Sequence, residues 1–340
     1  MALKIAVLAP VAWRTPPKHY GPWEQMASNL TEGLVKAGLD VTLFATKDAI
    51  TNAKLAYVID KGYEEDRSQD AKVVECLHIS NLMEQAEQFD IIHNHFDFLP
   101  LTYSKLAKTP FITTIHGFSS ERIIPVYKKY NSQTHYVSIS DSNRHPDLNY
   151  LATVYNGLEI SNFDYNPEPD DYLLFFGRIH PHKGTLEAIE IARKSNKILI
   201  IAGIVQDEGY FKDKIEPCLN DSIVFIGAAG PEKRNELLGK ALALLHPISF
   251  EEPFGLSVAE AMICGTPVIA FNRGSMPELI VDKKTGFLVN NVEEAVSAVT
   301  QLGNINRSDC RAWGIEQFSS EKMAEDYIAL YHKILLVDSR

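Results

Sequence analysis

The sequence predicts an α/β protein built as two doubly wound, parallel-sheet domains in series, and three observations carry that prediction. Short continuous apolar runs alternate with amphipathic segments, the pattern of strands buried on both faces beneath helices. The rhythm halts in a polar, proline-bearing stretch, Asp164-Tyr165-Asn166-Pro167-Glu168-Pro169-Asp170-Asp171, and then begins again. At 340 residues the chain also exceeds what one hydrophobic core usually serves, roughly 250 to 300 residues.

Taken in order, residues 4–11 read as a buried strand, followed by a Pro-rich loop to Pro22 and a helix over 23–37 that Gly38 ends. Ala27, Leu30, Leu34 and Ala37 recur at spacings of three and four, which places them on one helical face. Strands follow over 40–45, 90–93, 111–115 and 136–139. Beyond the polar stretch they resume over 173–176, 198–202, 223–226, 241–245 and 268–271, with helices between. The last apolar-periodic stretch, 323–336, reads as a helix packing back across the first domain. The expected division is 1–160, 161–320 and a returning helix within 321–340. In sheets of this kind ligands bind at the carboxyl ends of the strands, here expected between the two domains.

The net charge is −11, from 33 basic against 44 acidic residues, which argues against a broad electrostatic grip on nucleic acid or anionic lipid. The four cysteines, Cys76, Cys218, Cys264 and Cys310, are scattered and form no Cys-x-x-Cys pair. Neither a disulfide framework nor a zinc site is suggested, and a reducing, cytoplasmic setting fits. The apolar run at 4–10 is too short for a signal-peptide core, and no transmembrane stretch is read; a peripheral membrane contact is not indicated.

Two clusters carry chemistry. Phe176-Gly177-Arg178-Ile179-His180-Pro181-His182-Lys183-Gly184 lies where a strand ends and a helix over 185–194 begins. Helix-start N–H groups together with the Arg178 and Lys183 charges suit a diphosphate, although two surface cations in a short loop are also common. The second runs from Glu252 through Pro253-Phe254-Gly255-Leu256 to Glu260 and on to Gly265-Thr266-Pro267-Val268. If Glu252 just precedes a helix begun near Leu256, the two carboxylates sit about two turns apart and can reach two ends of one elongated ligand. An acid favoured by the helix dipole plus an ordinary helical Glu is the plainer alternative.

The order Gly-Arg-x4-Lys-Gly, then Glu-x7-Glu enclosing Phe-Gly-Leu, then Gly-x-Pro-Val-Ile-Ala, resembles the retaining family-4 glycosyltransferases. The likeness runs end to end, including Tyr20-Gly21-Pro22-Trp23-Glu24, Asp90-Ile91-Ile92-His93-Asn94-His95, Thr114-Ile115-His116-Gly117, Asn156-Gly157 and Phe318-Ser319-Ser320-Glu321-Lys322. It implies the GT-B architecture, two Rossmann-like domains facing each other across a cleft. The N-terminal domain would bind the acceptor and the C-terminal one the nucleotide sugar. It further implies that Arg178 and Lys183 bind the donor diphosphate, Glu252 the donor sugar hydroxyls and Glu260 the ribose. Backbone N–H groups of Phe254, Gly255 and Leu256 would assist, with Gly21 also near the donor.

The same resemblance makes His116 the histidine beside the anomeric centre, where a lone His would otherwise be read as structural. His95 would line the acceptor pocket. Many relatives carry Gly-Gly where this chain has Gly21-Pro22, and proline lacks the N–H that the second glycine commonly supplies. Glu24, at the helix start, reads as an acid favoured by the dipole.

The implied reaction is transfer of a hexose from a nucleotide diphosphate sugar to an acceptor hydroxyl on a sugar, glycoside or small molecule, with retention. It proceeds by front-face attack without a protein nucleophile. No Asp-x-Asp metal handle occurs anywhere, so neither metal nor cofactor is expected. Two rivals stay open: a glycoside phosphorylase on the same fold, and a non-catalytic nucleotide-sugar-binding protein. A nicotinamide dehydrogenase is disfavoured, because the first strand-helix unit contains no Gly-x-Gly-x-x-Gly.

Overall fold

The computed structural model describes residues 2–338, and its chain divides into two compact units. Unit 1 comprises 1–158 with 320–340, and unit 2 comprises 159–319.

Unit 1 is built on β1 (Lys4–Leu8), β2 (Asp40–Phe44), β3 (Lys54–Ala56), β4 (Ile91–Asn94), β5 (Phe111–Ile115), β6 (His135–Ser138) and β7 (Tyr150–Thr153). They form one parallel sheet in the order β3-β2-β1-β4-β5-β6-β7. Helices α1 (Pro22–Lys36), α2 (Ala71–Met83) and α3 (Ile124–Tyr130) connect them. Strand β1 stops at Leu8, short of the expected 11, since the chain turns away at Ala9-Pro10 and proline cannot donate to a ladder. The expected helix at 23–37 is α1, which takes Pro22 at its first position, where the missing N–H has no helical partner to lose.

Unit 2 repeats the plan with β8 (Tyr172–Phe176), β9 (Ile198–Ala202), β10 (Ile223–Phe225), β11 (Ala243–His246), β12 (Val268–Phe271) and β13 (Gly286–Val289). These pair in parallel in the order β10-β9-β8-β11-β12-β13. Its helices are α4 (Thr185–Lys194), the single turn α5 (Glu208–Tyr210), α6 (Pro231–Lys240), α7 (Leu256–Ile263), α8 (Met276–Leu279), α9 (Val292–Val299) and α10 (Arg307–Phe318). The stretch 164–171, read as a linker, is fastened to this unit. Asn166 N–H donates to Cys264 O at 3.3 Å, and the Arg307 guanidinium donates to Asn166 O at 2.7 Å.

The chain then returns to unit 1 as α11 (Ser320–Asp338). Met323, Ala324, Tyr327, Tyr331 and Ile334 join Leu30 and Leu34 of α1 and Ile5 and Val7 of β1 in one buried cluster. Gly33 of α1 permits the close approach: a Cβ there would lie 2.9 Å from the Ala324 Cβ. Together, these packed faces remove a large apolar area from water, the main favourable term in folding.

Candidate active site

In unit 2, β8 and β11 are neighbours, and the winding leaves β8 toward β9 on one side and β11 toward β12 on the other. The loops that follow β8 and β11 therefore flank the point where strand order reverses, the usual ligand position of such sheets. The loop after β8 ends in a tight turn, Pro181–Lys183, followed by Gly184 at φ +77° and then α4. Gly184 is required twice over. Its φ is left-handed, and a Cβ would sit 1.9 Å from the Pro247 carbonyl oxygen. Across the same contact, Ser249 N–H donates to His182 O at 2.9 Å.

This approach delivers Lys183 to the loop after β11, where its ammonium donates to the Glu252 carboxylate. The ammonium also lies 4.8 Å from the centroid of the Phe250 ring. His246, the last residue of β11, points its Nε2 at the same Glu252 oxygen from 3.7 Å, longer than a hydrogen bond. Burial opposes ionisation of Glu252, yet the His246 ring and the Lys183 charge outweigh it and bring the carboxyl down to about 2. His246 is itself pushed below its ordinary value by burial, which the Glu252 carboxylate only partly offsets.

Helix α7 begins at Leu256, so Glu252 does precede it. Gly255 at φ +91° takes the cap position, and no side chain caps the helix. Val258 N–H donates to Gly255 O at 3.0 Å, so it is the N–H groups of Leu256 and Ser257 that depend on a partner from outside the helix. The Phe254 carbonyl accepts from Ser275 Oγ at 2.6 Å, and the Phe254 ring packs edge-on against Phe318, fixing the approach to the cap. Further along α7, Glu260 is only 5% exposed and lies 3.1 Å from Arg234 Nη1 on α6. Burial raises the Glu260 pKa, and the Arg234 charge counters part of that rise. Arg178 Nη1 donates to Gln206 Oε1 at 2.8 Å.

In unit 1, His95 follows β4 and His116 follows β5, adjacent strands whose ends bring the two rings together. His95 Nδ1 and His116 Nε2 are 2.9 Å apart, and the Trp23 ring of α1 stacks on His116 at 5.7 Å. Burial lowers the His116 pKa to about 3 and holds His95 far below the usual range, with neighbouring histidines adding to the effect. The pair is neutral, one ring donating and the other accepting. His93 is bound differently. Its Nδ1 meets the Tyr331 hydroxyl at 2.7 Å and its Nε2 meets Thr114 Oγ1 at 2.7 Å, and Thr114 in turn meets the Tyr327 hydroxyl at 2.6 Å.

Gly21 caps α1 at φ +150°, and its carbonyl accepts from Gln25 N–H at 2.9 Å. Glu24, read as an acid favoured by the helix dipole, sits in the first turn of α1 but inside the unit. It is 3% exposed, and burial lifts its pKa to about 7 although Oε1 accepts from Trp13 N–H at 3.3 Å. Among the described residues, no helix is long and apolar enough to cross a membrane.

The motifs thus locate Lys183, Glu252, Glu260, His95 and His116 in three clusters. They gave no sign of His246, Phe250 or the Arg234 contact. His246 lies in an ordinary apolar run, Ala243-Leu244-Leu245-His246, and only the pairing of β8 with β11 brings it toward Lys183.

Two doubly wound parallel sheets, with a cation-carboxylate cluster beyond the strand ends of one and a histidine pair at those of the other, have the architecture of GT-B glycosyltransferases. Residues 159–315 match the family of glycosyl transferases group 1 and residues 24–149 match glycosyltransferase family 4, and the chain belongs to this group 1, family-4 type. An uncharacterised glycosyltransferase of Methanocaldococcus jannaschii is 22% identical over 369 residues, covering 94% of this chain and 91% of that protein. Among solved structures, a sucrose-phosphate synthase from Thermosynechococcus elongatus aligns over 98% of this chain and 100% of its own, with a TM-score of 0.79 and 17% identity. Anabaena HepE, crystallised with UDP and glucose, aligns over 97% of this chain and 100% of its own, with a TM-score of 0.71 and 17% identity.

Proposed function

We propose that this glycosyltransferase takes a hexose from a nucleotide diphosphate sugar and passes it to an acceptor hydroxyl with retention and without a metal ion. The observation that carries the reading is the convergence of Lys183 and Glu252 at the strand-order reversal of unit 2, beside the uncapped start of α7. An ammonium and helix N–H groups offer positive potential to a diphosphate, while a carboxylate held ionised accepts from sugar hydroxyls. Anabaena HepE, similar in fold, carries UDP and glucose, which supports a nucleotide-sugar donor here.

In this reading Lys183 and Arg178 grip the diphosphate, with Arg178 leaving Gln206 to do so. Glu252 holds the sugar, Glu260 the ribose, and the N–H groups of Phe254, Gly255 and Leu256 the phosphate and sugar oxygens. From unit 1, Gly21 contributes backbone near the donor, His116 stands beside the reacting carbon and His95 lines the acceptor pocket. A neutral His116 can donate or accept one hydrogen bond but brings no competing charge to an oxocarbenium-like centre. The departing diphosphate oxygen takes the acceptor proton, so the protein stabilises leaving-group charge and orients two substrates.

The test is a panel of UDP, GDP and ADP sugars read first by thermal shift and then by turnover with excess EDTA. A stabilising sugar nucleotide whose nucleoside diphosphate is released on adding an acceptor supports the reading. Release of a sugar phosphate with inorganic phosphate points to a phosphorylase, and binding without turnover across acceptors points to a non-catalytic binder. No shift with any member counts against the donor assignment.

A further inference from the structure

We infer that His246 is a positioning residue for Glu252, holding that carboxylate in its sugar-binding orientation once the donor diphosphate draws Lys183 away. The inference rests on the donor reading above and adds a residue to it.

Glu252 Oε2 is the meeting point of two groups. Lys183 donates to it, and His246 Nε2 stands 3.7 Å from the same atom. That nitrogen is buried and has no hydrogen-bond partner among the described residues, and the residue as a whole is only 6% exposed. An unmet ring nitrogen in so enclosed a place normally carries a penalty, and few are left without a role. Among the described residues the acidic group paired with it is the Glu252 carboxylate, and a shift of that carboxylate by well under 1 Å would bring the pair to ordinary hydrogen-bond length.

Donor binding supplies a reason for the shift. Lys183 cannot give its full charge to a diphosphate while it remains on Glu252. Were it simply to leave, a carboxylate with 13% side-chain exposure would lose its cation, and a buried charge without a partner is strongly disfavoured. His246 in its Nε2–H form removes that difficulty. It donates to Oε2 as Lys183 departs, and Glu252 keeps one fixed oxygen while Oε1 faces the sugar hydroxyls. The ring's position is itself fixed: it closes β11, whose Leu244 and Leu245 pair with Leu174 and Phe175 of β8 and with Val268 and Ile269 of β12. His246 therefore has a rigid strand behind it, whereas Lys183 hangs from a loop on a flexible stem.

The sugar and diphosphate contributions can be separated, because Glu252 is assigned to the sugar alone. Wild type, His246→Leu and His246→Gln are titrated calorimetrically with UDP, GDP and ADP and with the glucose ester of each, beside melting temperatures. Gln can place an amide N–H near the position of Nε2, and Leu cannot.

For the base that the wild type accepts, His246→Leu should bind the nucleoside diphosphate within about two-fold of wild type. It should bind the glucose ester roughly ten-fold or more weakly, the scale of a lost hydrogen bond to a charged group. His246→Gln should recover most of that loss. A merely structural histidine would alter both ligands together or only the melting temperature. If the wild type binds a glucose ester and His246→Leu binds it equally well, the positioning role is wrong while the donor reading stands. The role is equally wrong if His246→Leu folds and loses both ligands in step, or if His246→Gln folds and recovers nothing. If the wild type binds none of the six ligands, the donor reading fails and this inference falls with it.

Discussion

Arg234 Nη1 lies 3.1 Å from Glu260 Oε1, so the carboxylate assigned to the ribose already has a cation of its own chain beside it. Burial favours the protonated form of Glu260, and Arg234 works against that. Arg234→Met should therefore leave a buried carboxyl protonated in place of an ion pair. Nucleotide affinity should fall together with the melting temperature. Glu260→Gln keeps the shape and should weaken nucleotide binding by about 1 to 3 kcal/mol with the fold retained. Calorimetry with the nucleoside diphosphate checks both, and unchanged affinity in Glu260→Gln would reduce that residue to a structural one.

Lys183→Ala removes a preorganised positive group from the diphosphate site, and turnover should fall by about 10² to 10³, or 2.7 to 4 kcal/mol. It also strips Glu252 of its ammonium, so the carboxyl should become easier to protonate. Arg178→Lys should be impaired as well, because a point charge does not reproduce the planar fork that grips phosphate. Turnover is measured with excess EDTA and again with magnesium. Normal activity in Lys183→Ala, or an EDTA loss that magnesium restores, would overturn the proposed grip.

Glu24 makes stability depend on pH in a defined direction. Its folded value, about 7, lies above the ordinary 4.5, so the folded chain holds a proton that the unfolded chain releases. The associated stability is fully present below pH 4.5 and is lost as pH rises through about 7. Glu24→Gln should match the wild type near pH 4.5 and exceed it at pH 8, by up to roughly 3 kcal/mol. Urea midpoints at the two pH values decide it, and a difference that does not grow with pH would show Glu24 ionised without penalty.

The hydroxyl network on His93 should be cooperative. Tyr331→Phe leaves His93 Nδ1 without its partner, and Tyr327→Phe takes one from Thr114. Each should cost about 1 to 3 kcal/mol if the exposed polar atom finds no water. Because Thr114 and His93 join the two tyrosines, the double mutant should lose less than the two single losses combined. Denaturant titration of the four proteins measures the coupling, and strict additivity would contradict a connected network.

Much of the fold was legible because strands such as Ile198–Ala202 and Val268–Phe271 are apolar throughout and bounded by turn residues. Strands β3, β7 and β13 were missed for physical reasons. The first has three residues, the second is half-buried along its whole length, and the third opens on Gly286, which reads as a turn. At the site, motif order and the family resemblance it carries mark Lys183, Glu252 and Glu260. They say nothing of Arg234 on α6 or His246 on β11, since their partners become neighbours only through helix and strand order. Glu24 shows another limit: position at a helix start suggests an acid favoured by the dipole, but says nothing of the loop at Trp13 that meets it or of its burial.

The return of α11 to unit 1 sets an order of events during synthesis. Residues 2–158 leave the ribosome first, yet the surface of α1 and β1 that receives Tyr327 and Tyr331 stays bare until all of 159–319 has been made. His93 waits equally long for its phenol partner. Unit 2, drawn from one continuous stretch, faces no such delay and can close its core as soon as it emerges. The segment translated first is therefore the one completed last, and in the interval its unfinished apolar face is what a chaperone would meet.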